Sequence, residues 1–307
     1  MTSWTERRAP DFYVVGHPKS GTTALYEMLR SHPQVFMPEL KEPRWFATDL
    51  RARFGGDGWL PQTLEQYLDL FAPAGAGQIT GEASPSYLRS KVAAGLIAQA
   101  RPDARIIAIL REPAGFLRSL HLELVQNHVE HEQDLRRALE AERPGEDGLL
   151  RYSDRIAYVE QLRRYHEVFP REQVLVLIYD DFRADNAGTM RGVLRFLGVD
   201  DAVPIEPVQA NPTVHVRSMR LDRLVRSAYA GRNPLTRAAK SAVKAAAPRL
   251  QGESLHALRR RLLYVRPKPQ DEQLMAELRR RFRGEVVALS DYLGRDLVTE
   301  WGYDRVD

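Results

Sequence analysis

Three short apolar segments stand out in the first two thirds of the chain, and each is followed by a stretch with helical spacing. The apolar segments span 12–16, 105–110 and 173–179. The second is almost wholly apolar, as expected for a strand that is covered on both faces. The stretches that follow place apolar residues on one helical face and span 24–30, 117–125 and 189–197. Strands that alternate with helices predict crossover connections and a parallel sheet.

The pattern changes after Asn211 and Pro212. Residues 213–265 are rich in arginine and alanine with helical spacing, which predicts a mainly helical lobe with a basic surface. We therefore expect one α/β domain over residues 1–307, built on a parallel β-sheet that is flanked by helices. The C-terminal, mainly helical basic lobe would belong to this same domain.

The 307-residue chain contains no cysteine. This excludes disulfides, cysteine nucleophiles and thiolate metal sites, and it suits a reducing cytoplasm. The longest apolar segments are far shorter than the ~20 residues of a membrane-spanning helix. Residues 1–10 lack the apolar stretch of a secretory signal. We therefore expect a cytoplasmic protein without a transmembrane segment.

The formal net charge is +4, but its distribution is uneven. Residues 217–283 contain 18 basic and five acidic residues. This excess permits an anionic ligand, an anionic acceptor or peripheral contact with a membrane surface, and it is equally compatible with a solvated helix surface. We expect no nucleic-acid partner, because no aromatic stacking pattern or known binding module accompanies the charge.

A glycine-rich turn follows the first predicted strand. Gly16 and Gly21 have the spacing of the G-x-x-x-x-G nucleoside triphosphate loop, but that motif continues with Lys and then Ser or Thr. Here Thr22 and Thr23 follow, and the lysine is Lys19. Such a turn is an anion site because N–H groups converge at the positive end of a helix dipole. An ordinary strand–helix turn and a variant triphosphatase loop remain alternatives.

The segment 17–23, His-Pro-Lys-Ser-Gly-Thr-Thr, resembles the 5′-phosphosulfate loop of the sulfotransferase family, whose members use 3′-phosphoadenosine 5′-phosphosulfate (PAPS). The resemblance implies a P-loop-like fold, PAPS as co-substrate and adenosine 3′,5′-bisphosphate (PAP) as product. It implies no requirement for a metal, since lysine and backbone dipoles supply the positive charge. The implied donor-binding residues are Pro18, Lys19, Ser20, Gly21, Thr22 and Thr23.

A second segment with this resemblance follows the second predicted strand. Arg111-Glu112-Pro113, with Ser119 eight residues after the arginine, resembles the family's 3′-phosphate signature. The resemblance implies that Arg111 and Ser119 bind the 3′-phosphate, and the planar arginine fork suits phosphate oxygens. The structural alternative is that Arg111 caps a strand end or pairs with Glu112.

Two further segments carry the candidates for acid–base chemistry. Residues 41–46, Lys-Glu-Pro-Arg-Trp-Phe, resemble the K-E-P-x-F-F segment of the branch that includes heparan sulfate sulfotransferases, which implies that Glu42 is the catalytic base. A solvated charge pair is the alternative. Residues 81–87 resemble the family's G-E-x-[ST]-P-x-Y segment beside the acceptor site, which implies that Glu82 is a second acid or a hydrogen-bond organiser; a purely structural role is the alternative. His121 is a further candidate base.

The same segments depart from the heparan-type enzymes that act on glucosamine residues. Those enzymes carry an aspartate where this chain has Ala47 and a lysine where it has Ala83, so a heparan acceptor is not expected.

The expected reaction is sulfuryl transfer from PAPS to a hydroxyl or amine of an unidentified small-molecule, lipid or glycan acceptor. Similar bacterial enzymes act on such acceptors, including natural products of secondary metabolism. The alternative is a P-loop kinase or nucleotide hydrolase, which would show magnesium-dependent ATP binding. A binding protein on a decayed sulfotransferase fold is a third alternative. Nothing in the sequence indicates an oligomeric state.

Overall fold

The computed structural model describes residues 9–51, 60–142, 152–206 and 271–306, and two short strands at 215–216 and 264–265. The predicted helical lobe, 213–265, lies outside the described residues except for those strands, β6 (His215–Val216) and β7 (Tyr264–Val265), which pair antiparallel. Among the described residues, no helix has the length and apolar character required to cross a membrane.

Five parallel strands form the main sheet, in the order β2-β3-β1-β4-β5. They are β1 (Phe12–Gly16), β2 (Val35–Phe36), β3 (Ile79–Ala83), β4 (Arg105–Leu110) and β5 (Val174–Ile178). The parallel sheet predicted from the apolar segments is confirmed, and the first two of those segments coincide with β1 and β4. Strands β2 and β3 have no counterpart in the predictions.

Helices follow the strands as crossover connections require. In chain order they are α1 (Thr22–Arg30), α2 (Thr48–Arg51), α3 (Leu64–Asp69), α4 (Ser86–Arg89), α5 (Ala93–Ala100), α6 (Pro113–Gln126), α7 (Leu135–Glu140), α8 (Tyr158–His166), α9 (Tyr179–Ala184), α10 (Asn186–Leu197), α11 (Glu272–Leu293) and α12 (Leu297–Glu300). Three short 3-10 turns complete the described elements, at Ser153–Arg155, Arg171–Gln173 and Tyr303–Arg305.

The chain divides into two compact units. The first comprises Met1–Phe116, Arg143–Ala210 and Met275–Asp307, and the second comprises Leu117–Glu142 and Asn211–Leu274. The sheet belongs to the first unit, whereas most of α6 and all of α7 belong to the second. That residues 1–307 form a single domain stays a prediction.

The core of the first unit lies against the sheet. Side chains of β1 and β4 pack with the apolar faces of α1 and α10, and all of them are buried; they include Phe12, Val14, Leu25, Leu29, Ile107, Ile109, Val193 and Leu194. This packing fixes the carboxyl ends of β1, β3, β4 and β5 along one edge of the sheet. In open α/β sheets, ligands bind in the crevice outside that edge.

Candidate active site

The glycine-rich loop lies between the end of β1 and the start of α1. Gly16 must be glycine there, since a Cβ atom would lie 2.6 Å from the Ile109 carbonyl oxygen. Lys19 has a left-handed backbone (φ 63°). Gly21 has φ 86° and is the N-cap of α1. These two left-handed residues turn the chain into the helix within five residues of the strand.

Several polar groups of this loop have no partner among the described residues. Ser20 is fully buried, and its hydroxyl has no hydrogen-bond partner among the described residues. No acceptor in the described part of the chain bonds the backbone N–H groups of residues 19–23. A buried hydroxyl without a partner is costly. The loop therefore fits an anion such as a phosphate, which would accept these donors at the positive end of α1.

Arg111 connects the end of β4 to this loop. Its Nη1 donates a hydrogen bond of 2.8 Å to the carbonyl oxygen of Lys19, and its guanidinium lies 4.8 Å from the centre of the Tyr179 ring. The Tyr158 hydroxyl donates to the Arg111 carbonyl oxygen at 2.9 Å. Arg111 is thus fixed beside the loop, as a residue that binds the same ligand would be.

Glu112 does not form an ion pair with Arg111 among the contacts of the described residues. It instead accepts from the backbone N–H groups of Ala114 (3.0 Å) and Gly115 (2.6 Å) in the first turn of α6, and from the Tyr303 hydroxyl at 2.7 Å. Its carboxylate therefore caps α6, which leaves the Arg111 side chain with the loop.

His17, the first loop residue, is buried between two rings. Its ring centre lies 4.6 Å from that of Phe116 and 4.3 Å from that of Tyr158, and its Nε2 lies 2.9 Å from Gln161 Oε1. Burial lowers the pKa of His17 to about 4. The imidazole is therefore neutral near pH 7 and supports the loop through packing.

Ser119 and His121 lie on α6, in the second compact unit, whereas Lys19, Arg111 and Glu42 lie in the first. Both side chains are buried. The Ser119 hydroxyl has no hydrogen-bond partner among the described residues. His121 Nε2 lies 3.2 Å from the Gln133 carbonyl oxygen, and burial lowers the pKa of His121.

Glu42 lies in a turn that follows β2 and runs beside the end of β3. Its backbone N–H donates to the Ala83 carbonyl oxygen at 3.1 Å. Lys41 Nζ lies 2.6 Å from Glu42 Oε1, and Arg44 Nη2 lies 2.9 Å from Oε2. Burial raises the pKa of Glu42, but the two cations lower it by more, so that the pKa lies below its ordinary value. The carboxylate is ionised at neutral pH and partly exposed.

Glu82 is completely buried at the end of β3. Its carboxylate accepts hydrogen bonds from three hydroxyls: Ser84 at 2.5 Å, Tyr67 at 2.7 Å and Tyr87 at 2.9 Å. Burial and, to a smaller extent, the negative charge of Glu42 raise the pKa of Glu82, whereas the three hydrogen bonds lower it. The resulting pKa is about 7, above the ordinary 4.5. This environment fits a hydrogen-bond organiser.

A cavity of about 400 Å³ opens beside Gln161, the partner of His17. Its wall carries both signs of charge and consists of Asp49, Leu50, Arg89, Lys91, Asp154, Arg155, Ala157, Glu160, Gln161 and Arg164. A wall of this kind suits a polar molecule with several hydrogen-bonding groups.

The family is decided by comparison of the whole sequence. The family model described as "Sulfotransferase family" matches residues 10–202, which is more than half of the chain. The chain belongs to the sulfotransferase family. This result confirms the resemblance drawn from the short segments, and it gives no support to the kinase or hydrolase alternative.

Individual sulfotransferases show the same relationship. The chain is similar to carbohydrate sulfotransferase 15 of Mus musculus, with 30% identity over 251 residues that cover 63% of this chain and 44% of that protein. It is also similar to the bifunctional heparan sulfate N-deacetylase/N-sulfotransferase 3 of Homo sapiens, with 28% identity over 205 residues. This match covers 62% of this chain and 22% of that protein. The chain therefore spans less than half the length of these relatives.

A solved structure is similar over nearly the whole length. The crystal structure of a sulfotransferase from Alicyclobacillus acidocaldarius has a TM-score of 0.68 and 25% identity, and the match covers 95% of this chain and 98% of that one. The α/β fold predicted from the sequence is thus the fold of a sulfotransferase.

Sequence reasoning missed two residues beside the candidate site. Tyr67 and Gln161 lie on α3 and α8 and belong to no motif, although each contacts a residue of one. At the two positions that depart from the heparan-type enzymes, Ala47 and Ala83 are almost wholly inaccessible and belong to the core.

Proposed function

We propose that this sulfotransferase transfers the sulfuryl group of PAPS to a hydroxyl or amine of an acceptor. The observation that carries the proposal is the loop 17–23. Its Ser20 hydroxyl is buried without a partner among the described residues, the N–H groups of residues 19–23 have no acceptor among them, and Arg111 is bonded to the loop backbone. A donor with an anionic 5′ end fits this arrangement.

In this proposal, the residues Pro18 to Thr23 hold the 5′-phosphosulfate and Arg111 holds the 3′-phosphate; that Ser119 also binds the 3′-phosphate stays a prediction. The sulfuryl group moves in line between the leaving phosphate oxygen and the acceptor. The S–O bond to the phosphate breaks, the bond to the acceptor forms, and PAP leaves. Lys19 stabilises the charge that develops on the leaving oxygen, as cations do in phosphoryl transfer.

Glu42 is the proposed base, which takes the proton from the acceptor hydroxyl or amine. Its lowered pKa keeps it ionised at neutral pH, as a base must be before it accepts a proton. The ion pairs with Lys41 and Arg44 also fix its orientation.

The proposed acceptor is a carbohydrate or another polar molecule. This rests on the carbohydrate sulfotransferases among the relatives and on the charged wall of the cavity beside Gln161. A lipid acceptor, contact with a membrane surface, a cytoplasmic location and a role in bacterial secondary metabolism stay predictions.

The direct test incubates the protein with ³⁵S-labelled PAPS and fractionated extract of the source organism, and identifies the labelled product by mass spectrometry. A parallel incubation contains γ-labelled ATP and Mg²⁺. We expect transfer of ³⁵S that depends on the protein and no transfer from ATP. Transfer of phosphate without transfer of sulfate would overturn the proposal and favour a kinase.

A further inference from the structure

The turn that presents Glu42 has an unusual backbone. Glu42 (φ 63°) and Arg44 (φ 54°) are both left-handed, although neither is glycine. Such residues persist only where surrounding contacts hold them. The groups that hold this turn in place therefore bear on where the Glu42 carboxylate lies.

Two hydroxyls bind the backbone of this turn. The Arg44 N–H donates to Ser84 Oγ at 3.2 Å, and the Phe46 N–H donates to the Tyr87 hydroxyl oxygen at 3.2 Å. Both hydroxyls in turn donate to Glu82. A hydroxyl has a single proton. Because each hydroxyl donates this proton in its hydrogen bond to Glu82, its oxygen is free to accept a hydrogen bond from a backbone N–H group.

Aromatic contacts complete the support. The Trp45 ring is stacked on Tyr67 at 5.3 Å, and the Phe46 ring meets Tyr67 and Tyr87 edge-on at 5.6 Å and 6.0 Å. Tyr67 also donates to Glu82. The buried carboxylate is thus the common acceptor of three hydroxyls, of which two reach the turn.

We infer that Glu82 is a positioning residue: its carboxylate orients the Ser84 and Tyr87 hydroxyls, which hold the left-handed turn and thereby place Glu42 for proton transfer. Glu82 itself is fully buried and does not touch the acceptor. The inference rests on the proposed role of Glu42, and it replaces the view of Glu82 as a second acid.

The test compares variants that remove either hydroxyl between Glu82 and the turn with a variant that removes the third hydroxyl bonded to Glu82. S84A and Y87F each remove a hydroxyl that links Glu82 to the turn. Y67F removes the third hydroxyl that bonds Glu82, at a similar distance, and it is the comparison variant. S84T restores the hydroxyl of the S84A variant, and E82Q removes the charge at nearly constant volume.

The first readout is ³⁵S transfer from PAPS, together with PAP binding by calorimetry and thermal unfolding. We expect kcat to fall by about 10-fold to 100-fold in E82Q, S84A and Y87F, the scale of a displaced catalytic group. The Kd of PAP should stay within about twofold of the wild-type value, because the loop 17–23 is unchanged. The kcat of Y67F should fall less, and S84T should recover most of the activity. Equal losses of kcat in Y67F, S84A and Y87F would overturn the inference.

A second readout does not depend on activity. Hydrogen exchange of the Arg44 and Phe46 amides should be faster in E82Q than in the wild type, whereas the Glu42 amide, bonded to Ala83, should change less. Unchanged exchange of the Arg44 and Phe46 amides in E82Q would overturn the inference. This measurement requires no acceptor. Absence of sulfuryl transfer in the wild type would instead contradict the proposed function, so that the two failures are distinguishable.

Discussion

The loop 17–23 and the turn 41–46 both contain left-handed residues other than glycine, but they differ in whether their polar groups have hydrogen-bond partners. In the loop, the Ser20 hydroxyl and the N–H groups of residues 19–23 have no partner among the described residues. In the turn, the amides of Glu42, Arg44 and Phe46 are all bonded within the protein. The difference indicates that the loop is completed by a ligand, whereas the turn is completed by the fold.

The largest effect is expected from Glu42→Gln, which acts on the turn. The amide cannot accept the acceptor's proton, so kcat should fall by about 10²–10⁴-fold. The Kd of PAP should stay unchanged, since the loop keeps all its donors. The exposed Glu39, three residues earlier, supplies the control Glu39→Gln, which should keep wild-type kcat. Activity near the wild-type level in E42Q would show that the base lies elsewhere, with His121 the next candidate.

Lys19→Ala acts on the loop and should be next in size. Loss of the cation that faces the leaving oxygen should lower kcat by about 10²–10³-fold, the scale for one donor to a developing charge. The thermal unfolding midpoint should stay close to that of the wild type, because Lys19 lies on a surface loop. Normal turnover in a folded variant would contradict the placement of this lysine.

Arg111→Ala should weaken PAP binding by about 1.5–3 kcal/mol, the scale of a hydrogen bond to a charged group. Calorimetry measures this change directly. Arg105 lies at the other end of β4 and bonds the Leu197 carbonyl oxygen, so Arg105→Ala should leave PAP affinity unaltered. Equal affinities of the wild type and R111A would reject Arg111 as a donor-binding residue.

The smallest expected effect concerns pH and the buried Glu82. Its pKa is raised from 4.5 to about 7, so between these values the folded state binds a proton that the unfolded state has released. Its contribution to stability is therefore fully present below pH 4.5 and is lost as the pH rises through 7. Denaturant unfolding from pH 5 to pH 8 should show the wild type losing stability relative to E82Q, by the order of 1–3 kcal/mol. A constant difference would contradict the raised pKa.

The sequence predicted those parts of the site that are local. Strands β1 and β4 follow from continuous apolar runs, and the loop after β1 follows from Gly16, Lys19 and Gly21. Strand β3 was not predicted, because its sequence Ile-Thr-Gly-Glu-Ala neither alternates apolar with polar residues nor forms a continuous apolar segment. Its Gly81 leaves room for the Phe12 ring, which a Cβ atom would approach to 2.1 Å.

The environment of Glu82 could not be predicted for a related reason. A glutamate in a mixed segment resembles a solvated residue, and its burial depends on Tyr67, which lies 15 residues earlier in a helix with no motif. Contacts of this kind depend on the packing of α3 against the sheet, which no local pattern encodes.

The most direct test of the donor site is a crystal structure of the protein with PAP. We expect the 5′-phosphate to lie against the N–H groups of residues 20–23 and to accept a hydrogen bond from the Ser20 hydroxyl, and we expect Arg111 to bind the 3′-phosphate. A nucleotide bound elsewhere, with the Ser20 hydroxyl still without a partner, would contradict this expectation.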